Sequence, residues 1–188
     1  MSVLKSFYSY DELKKIGLKR YGTNVYISRK ASIYSADNIE IGSNVRIDDF
    51  CILSGNIIIG DNVHIAAYSA LYGGDAGIRV SSFANISSRV CIYAISDDYS
   101  GETMTNPTIP NIYKKIQSKP VFVGKHVIIG SGSTVLPGVT LAEGTAIGAM
   151  SFCKVSTKSW KIYAGVPAKI IKDRKTDLID LERKFLNE

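Results

Sequence analysis

Histidine is nearly absent from this sequence: His64 and His126 are the only two in 188 residues. Two imidazoles make no zinc site, and Cys51, Cys91 and Cys153 supply neither a CxxC nor a Cys/His spacing to complete one. No metal is expected. An odd set of thiols is no disulfide framework either, and it fits a reducing, cytoplasmic home. Nowhere do about eighteen apolar residues run together, and no opening segment joins basic residues to an apolar stretch and a small-residue cleavage site, so neither a membrane span nor secretion is expected. A stripe of one charge is missing too. The net charge is +6, yet the lysines and arginines are scattered rather than gathered with interleaved aromatics. That points away from nucleic acid, towards solubility and an anionic small molecule.

What is present is a repeat. Aliphatic residues recur at every sixth position through Ile41, Ile47, Leu53, Ile59, Ile65 and Leu71, resume at Val80, Ile86 and Ile92, and resume again at Val123, Ile129, Val135, Leu141 and Ile147. Two residues before each stands a second inward candidate, such as Val45, Cys51, Ile57, Val63 and Ser69. That spacing of two is the strand period, so both point inward while the residue between them points out. Glycine or a small polar residue often follows, as in IGSN, IGDN and IGSG. Six residues thus make one short strand and one corner, and three such units close a triangular coil. A 3.6-residue helix cannot hold a six-residue aliphatic repeat on one face, and sandwich strands alternate over longer runs. Coils stabilise each other by nearest-neighbour burial, so the ends need caps.

Both caps read as helices. SYDELKKIG offers Ser9 as N-cap with Glu12 three residues on and Gly17 as a stop; DRKTDLIDLERKFL puts Leu178, Leu181 and Phe185 on one face. The expected organisation is a single domain, 1–188, all-β: a triangular solenoid of six-residue repeats over 23–172, a short N-terminal helical cap over 1–22 and a C-terminal α-helix over 173–188. One long excursion, 95–120, carries SDDYSGETM, NPTIPNIY and KKIQSK and is too long for an ordinary connection. Long loops on rigid scaffolds carry binding residues. Asp97, Asp98, Tyr99, Ser100, Glu102 and Asn106 are the right types for sugar hydroxyls, and Tyr99 and Tyr113 for stacking on a sugar face.

The repeat, with the ending AGVPAKIIK, resembles the hexapeptide-repeat acyltransferases, in particular the galactoside, maltose and nodulation-factor acetyltransferase group and its polysaccharide-cluster relatives. The likeness runs from about Gly22 to Lys172. It implies that the solenoid over 23–172 is a left-handed parallel β-helix, and that the protein is a homotrimer, with acetyl-CoA between the outer faces of neighbouring β-helices and the acceptor in the same cleft. The outward positions of Ile52, Ile58, Phe122, Ile128 and Phe152 are consistent with a covered surface. For acetyl-CoA the resemblance points to the backbone around Ser131, Gly132 and Ala149, and to Lys154, Lys158, Lys169 and Arg174 for its phosphates.

The resemblance also implies a catalytic histidine, and at that position this sequence has Asp97. Three readings stay open. His64, outward between Val63 and Ile65, is the base, with Asn85 above it in the next coil and Asp97 of a neighbouring chain orienting the ring; Asp97 or Asp98 is itself the base; or the chain binds without catalysis. His126, at a repeat corner, is read as solvated. The favoured function is acetyl-CoA-dependent O-acetylation of a sugar in surface-polysaccharide synthesis. N-acetylation of an amino-sugar nucleotide and a silent trimeric scaffold are the alternatives.

Overall fold

The computed structural model describes residues 6–187; residues 1–5 and 188, the outer ends of the two expected caps, lie outside the described residues. The strands stack into three flat faces of a left-handed parallel β-helix. The first face holds Val25–Ile27, Val45–Ile47, His64–Ile65, Asn85–Ile86, Ile128–Ile129, Ala146–Ile147 and Lys161–Ala164. On the second, Ser32–Tyr34, the start of Ile52–Ile59, the start of Ala70–Val80, Cys91–Tyr93, Thr134–Val135 and Phe152–Cys153 pair in parallel. The third stacks Arg20–Tyr21, Ile39–Ile41, the ends of those two long strands, Val121–Val123 and Thr140–Leu141.

Every aliphatic of the six-residue series lies inside and is at most 3% exposed. Each such side chain, buried, contributes about 1.5–3 kcal/mol of transfer free energy. The partner position on the second face is polar in several coils, and buried serines there act as pegs. Ser69 Oγ donates to Ser87 O at 2.9 Å and accepts from Val90 N at 3.2 Å; Ser133 Oγ donates to Gly148 O at 3.0 Å and accepts from Ser151 N at 3.1 Å. A hydroxyl is tolerated inside because both of its bonding roles are filled by the corners it joins.

The N-terminal helix α1 (Tyr10–Ile16) buries Leu13 and ends at Gly17, whose φ of 80° is left-handed. Glu12 Oε2 accepts from Ser9 N and Ser9 Oγ, each at 2.8 Å, and the same carboxylate receives both Arg29 Nη1 at 2.7 Å and Arg29 Nη2 at 2.6 Å. At the other end the parallel coils stop earlier than expected. After Ala164 a turn through Gly165 reverses the chain, and Lys169–Asp173 runs antiparallel to Lys161–Ala164. Helix α2 (Leu178–Leu186) follows.

The excursion leaves the second face. Ile95–Ser96 pairs antiparallel with Gln117–Ser118, forming a two-stranded neck. The neck rests on Gly74: a Cβ there would come within 2.3 Å of Ile95 Cγ2, so only glycine permits this approach.

Candidate active site: the first face, its corner and the loop at Asp97

The outward row of the first face carries Arg46, His64 and Asn85 in register on successive coils, followed by Ile128 and Ala146. His64 and Asn85 are therefore stacked neighbours, as the coil period requires. The imidazole has a partner that the sequence reading passed over. His64 Nε2 lies 2.8 Å from Asp48 Oδ2, and Asp48 Oδ1 accepts from Arg46 Nε at 2.7 Å. Burial opposes ionisation of Asp48, but the hydrogen bonds from His64 and Arg46 outweigh it and hold the carboxyl below its ordinary value. Asp48 thus holds the imidazole from within the same chain. The signal was available: eighteen residues per coil set Arg46 beneath His64, and Asp48, two residues on, shares its outward face.

Asp97 and Asp98 sit just beyond the neck and differ sharply. Asp98 is spent on the loop: Oδ1 accepts from Ser100 N at 2.9 Å, and Oδ2 from Thr103 N at 3.1 Å and Thr103 Oγ1 at 2.9 Å. Hydrogen bonds from Ser100, then Thr103, lower its carboxyl to about 2. Such a group is a poor proton acceptor near neutrality. Asp97 Oδ2 accepts from Asn106 N at 3.3 Å, the one hydrogen bond to this carboxylate among the described residues. Of the other expected acceptor contacts, Ser100 Oγ accepts from Glu102 N, and Asn106 Oδ1 accepts from both Thr108 N and Thr108 Oγ1. Tyr99, 91% exposed, and Glu102 project outward.

At the corner between the first and second faces, Ser88, Ser131 and Ala149 occupy equivalent places on successive coils. Gly132 N donates to Ser88 O at 3.0 Å and Met150 N to Ser131 O at 2.8 Å, with the Ser88 and Ser131 hydroxyl oxygens 3.4 Å apart. This small-residue corner suits a thin chain such as pantetheine, and Ser87 and Ser88 join the residues expected there. Lys154, Lys158 and Lys169 are exposed, and none is ion-paired among the described residues. Arg174, expected at the phosphates, has Nη1 turned to the coil, where it donates to the carbonyls of His126 at 2.7 Å, Gly144 at 3.1 Å and Thr145 at 3.4 Å. It ties the C-terminal segment to the coil. His126 is not solvated. It is 8% exposed, stacks on Phe83 with centroids 5.4 Å apart and reaches Glu182 of α2 at 2.8 Å.

This is the architecture of a transferase built on hexapeptide coils. Residues 38–73 match the family described as bacterial transferase hexapeptide (six repeats). A dTDP-4-amino-4,6-dideoxy-D-glucose acyltransferase of Escherichia coli is 51% identical over 177 residues, 93% of this chain and 92% of its own. The chain belongs to the hexapeptide-repeat acyltransferases. Among solved structures, AntD, an N-acyltransferase from Bacillus cereus, superposes with a TM-score of 0.96 at 55% identity, covering 98% of this chain and 99% of that one. Its structures include a serine variant holding dTDP-4-amino-4,6-dideoxyglucose and coenzyme A, an aspartate variant holding dTDP and coenzyme A, and a complex with dTDP and 3-hydroxybutyryl-CoA. A maltose O-acetyltransferase from Clostridium difficile shares the fold at 21% identity and a TM-score of 0.54, over 93% of this chain and 80% of its own. The protein is a CoA-dependent acyltransferase acting on a sugar derivative. Among the described residues no helix is long and apolar enough to cross a membrane.

Proposed function

We propose that the chain transfers an acyl group from acyl-CoA to the amino group of a nucleotide-linked 4-amino-4,6-dideoxyhexose, in preference to the O-acetylation that the sequence reading favoured. The observation that carries this is the 55% identity to AntD over 98% of the chain. Chemistry supports it. A hydroxyl must lose its proton as it attacks a thioester, whereas a neutral amine attacks through its lone pair. As the C–N bond forms the thioester carbonyl becomes an oxyanion; a carboxylate can then accept the proton of the cationic nitrogen, and collapse of the oxyanion breaks the C–S bond and expels CoA thiolate, which takes up that proton and leaves as the thiol. Aspartate at position 97, where the resembled O-acetyltransferases carry histidine, suits the easier transfer.

The serine and the aspartate replaced in AntD stand ten positions apart, as do Ser87 and Asp97. Ser88 and Asp98 share that spacing, but the Asp98 oxygens are engaged inside the loop. We therefore assign Asp97 as proton acceptor and the Ser87 hydroxyl as a donor to the developing oxyanion. His64, oriented by Asp48 with Asn85 above it, is the second candidate for the proton. Pantetheine is assigned to the corner at Ser131, Gly132 and Ala149, the phosphates to Lys154, Lys158 and Lys169, and the acceptor wall to Tyr99 and Glu102. The working unit is a homotrimer with the site between chains.

Thiol release from acetyl-CoA and from 3-hydroxybutyryl-CoA should be stimulated by dTDP-4-amino-4,6-dideoxyglucose and not by its 4-hydroxy counterpart. Equal stimulation by both sugars would remove the amino group from the reading.

A further inference from the structure

The loop that carries Asp97 is tied at both of its limbs. Below Asp97, Ser96 pairs with Gln117 in the neck, and Ile95 is seated on Gly74. Above it, Asp98 gathers the outgoing limb. Its Oδ2 receives the Thr103 hydroxyl at 2.9 Å, and that same hydroxyl oxygen accepts from Lys115 N, on the returning limb, at 3.2 Å. Met104 N donates to Tyr113 O at 3.0 Å one step further out. The Thr103 hydroxyl thus joins the Asp98 carboxylate to the returning limb, and Asp97 lies in the short span between that knot and the neck.

We propose that Asp98 and Thr103 are positioning residues for the transfer: their hydrogen-bonded knot fixes the backbone of Asp97 so that its carboxylate meets the reacting nitrogen without a search. The proposal rests on the assignment of Asp97 as proton acceptor. It replaces the expectation that Asp98 binds acceptor or serves as base. A flexible lid would organise Asp97 only on substrate binding, whereas this loop is organised beforehand by bonds internal to itself. Misplacing a reacting group by about 1 Å costs up to roughly 100-fold in rate, so loosening the knot should act on turnover rather than on binding.

Thr103→Val removes the hydroxyl while keeping the backbone donor to Asp98, and Thr103→Ser restores it. Steady-state kinetics with the amino-sugar nucleotide should show kcat about 10- to 100-fold lower in the valine variant, with KM for both substrates within about twofold, and recovery in the serine variant. Amide hydrogen exchange should quicken at Lys115 in the valine variant while the coil amides at Ile92 and Val135 stay protected, which separates loss of the knot from loss of the fold. Wild-type kcat in Thr103→Val, beside a crippled Asp97→Asn, would overturn the positioning role and leave the function standing. A raised KM for the sugar nucleotide at unchanged kcat would also overturn it, in favour of an acceptor wall. If Asp97→Asn turns over normally, the assignment of Asp97 fails and the positioning role falls with it.

Discussion

Asp97, Asp98 and His64 show how differently three candidate bases can be placed by their neighbours. Asp98 has its carboxylate filled by three donors, His64 shares Nε2 with Asp48, and Asp97 receives one long hydrogen bond. We expect Asp97→Asn to lower kcat by about 10²–10⁴, the usual worth of a positioned acid–base group, and His64→Ala to cost far less. Steady-state rates at saturating acyl-CoA check the order, and its reversal would return the proton to His64. The sequence exposed the departure at position 97 because the resembled group is regular around it. It concealed the difference between the two aspartates, which depends on Thr103 and Ser100 folding back on one of them. The partnership of His64 with Asp48 is legible in the coil period, which sets Arg46 and its neighbour Asp48 one coil below His64.

Helix α2 is an element whose existence was legible and whose seating was not. The spacing of Leu178, Leu181 and Phe185 gave the helix, yet Leu181 and Phe185 are 63% and 54% exposed in the single chain. What the helix plants on the coil is Glu182, held by Lys125 at 2.5 Å and His126 at 2.8 Å, with Phe185 edge-on to Phe83. A pattern of apolar residues cannot reveal which corner a terminal helix will cover, and so His126 read as solvated. The hydrogen bond from Lys125 chiefly, opposed by burial and aided by His126, lowers the Glu182 carboxyl from its ordinary 4.5. Because the folded value is the lower one, this contribution is complete above the ordinary value and is lost as pH falls through the folded value. We expect amide protection of α2 to fade in acid below about pH 4.5 before the coil unfolds, followed by hydrogen exchange. Glu182→Gln should loosen α2 at neutral pH.

For the whole molecule, the hexapeptide period carried nearly the entire architecture, since one buried aliphatic per six residues admits few folds and the series recurs on all three faces. The period could not specify the early end of the parallel coils. That depends on the reversal through Gly165, beyond the last repeat. Phe122 on the third face is 41% exposed, and on α2 Leu181, Phe185 and Leu186 are 63%, 54% and 61% exposed, apolar surface that a second copy can cover. Light scattering at micromolar concentration should return three times the 20.5 kDa chain mass; a monomer mass would remove the shared site.

The central claim is that an amide forms on the sugar, and the product of dTDP-4-amino-4,6-dideoxyglucose with acetyl-CoA tests it most directly. Two-dimensional NMR should show the C4 amide proton coupled to H4 and correlated with the new acyl carbonyl, and the acyl group should survive mild base that cleaves esters. An acyl group found on a hydroxyl oxygen and released by that base, or no product from the amino sugar beside turnover of a simple sugar, would contradict the account.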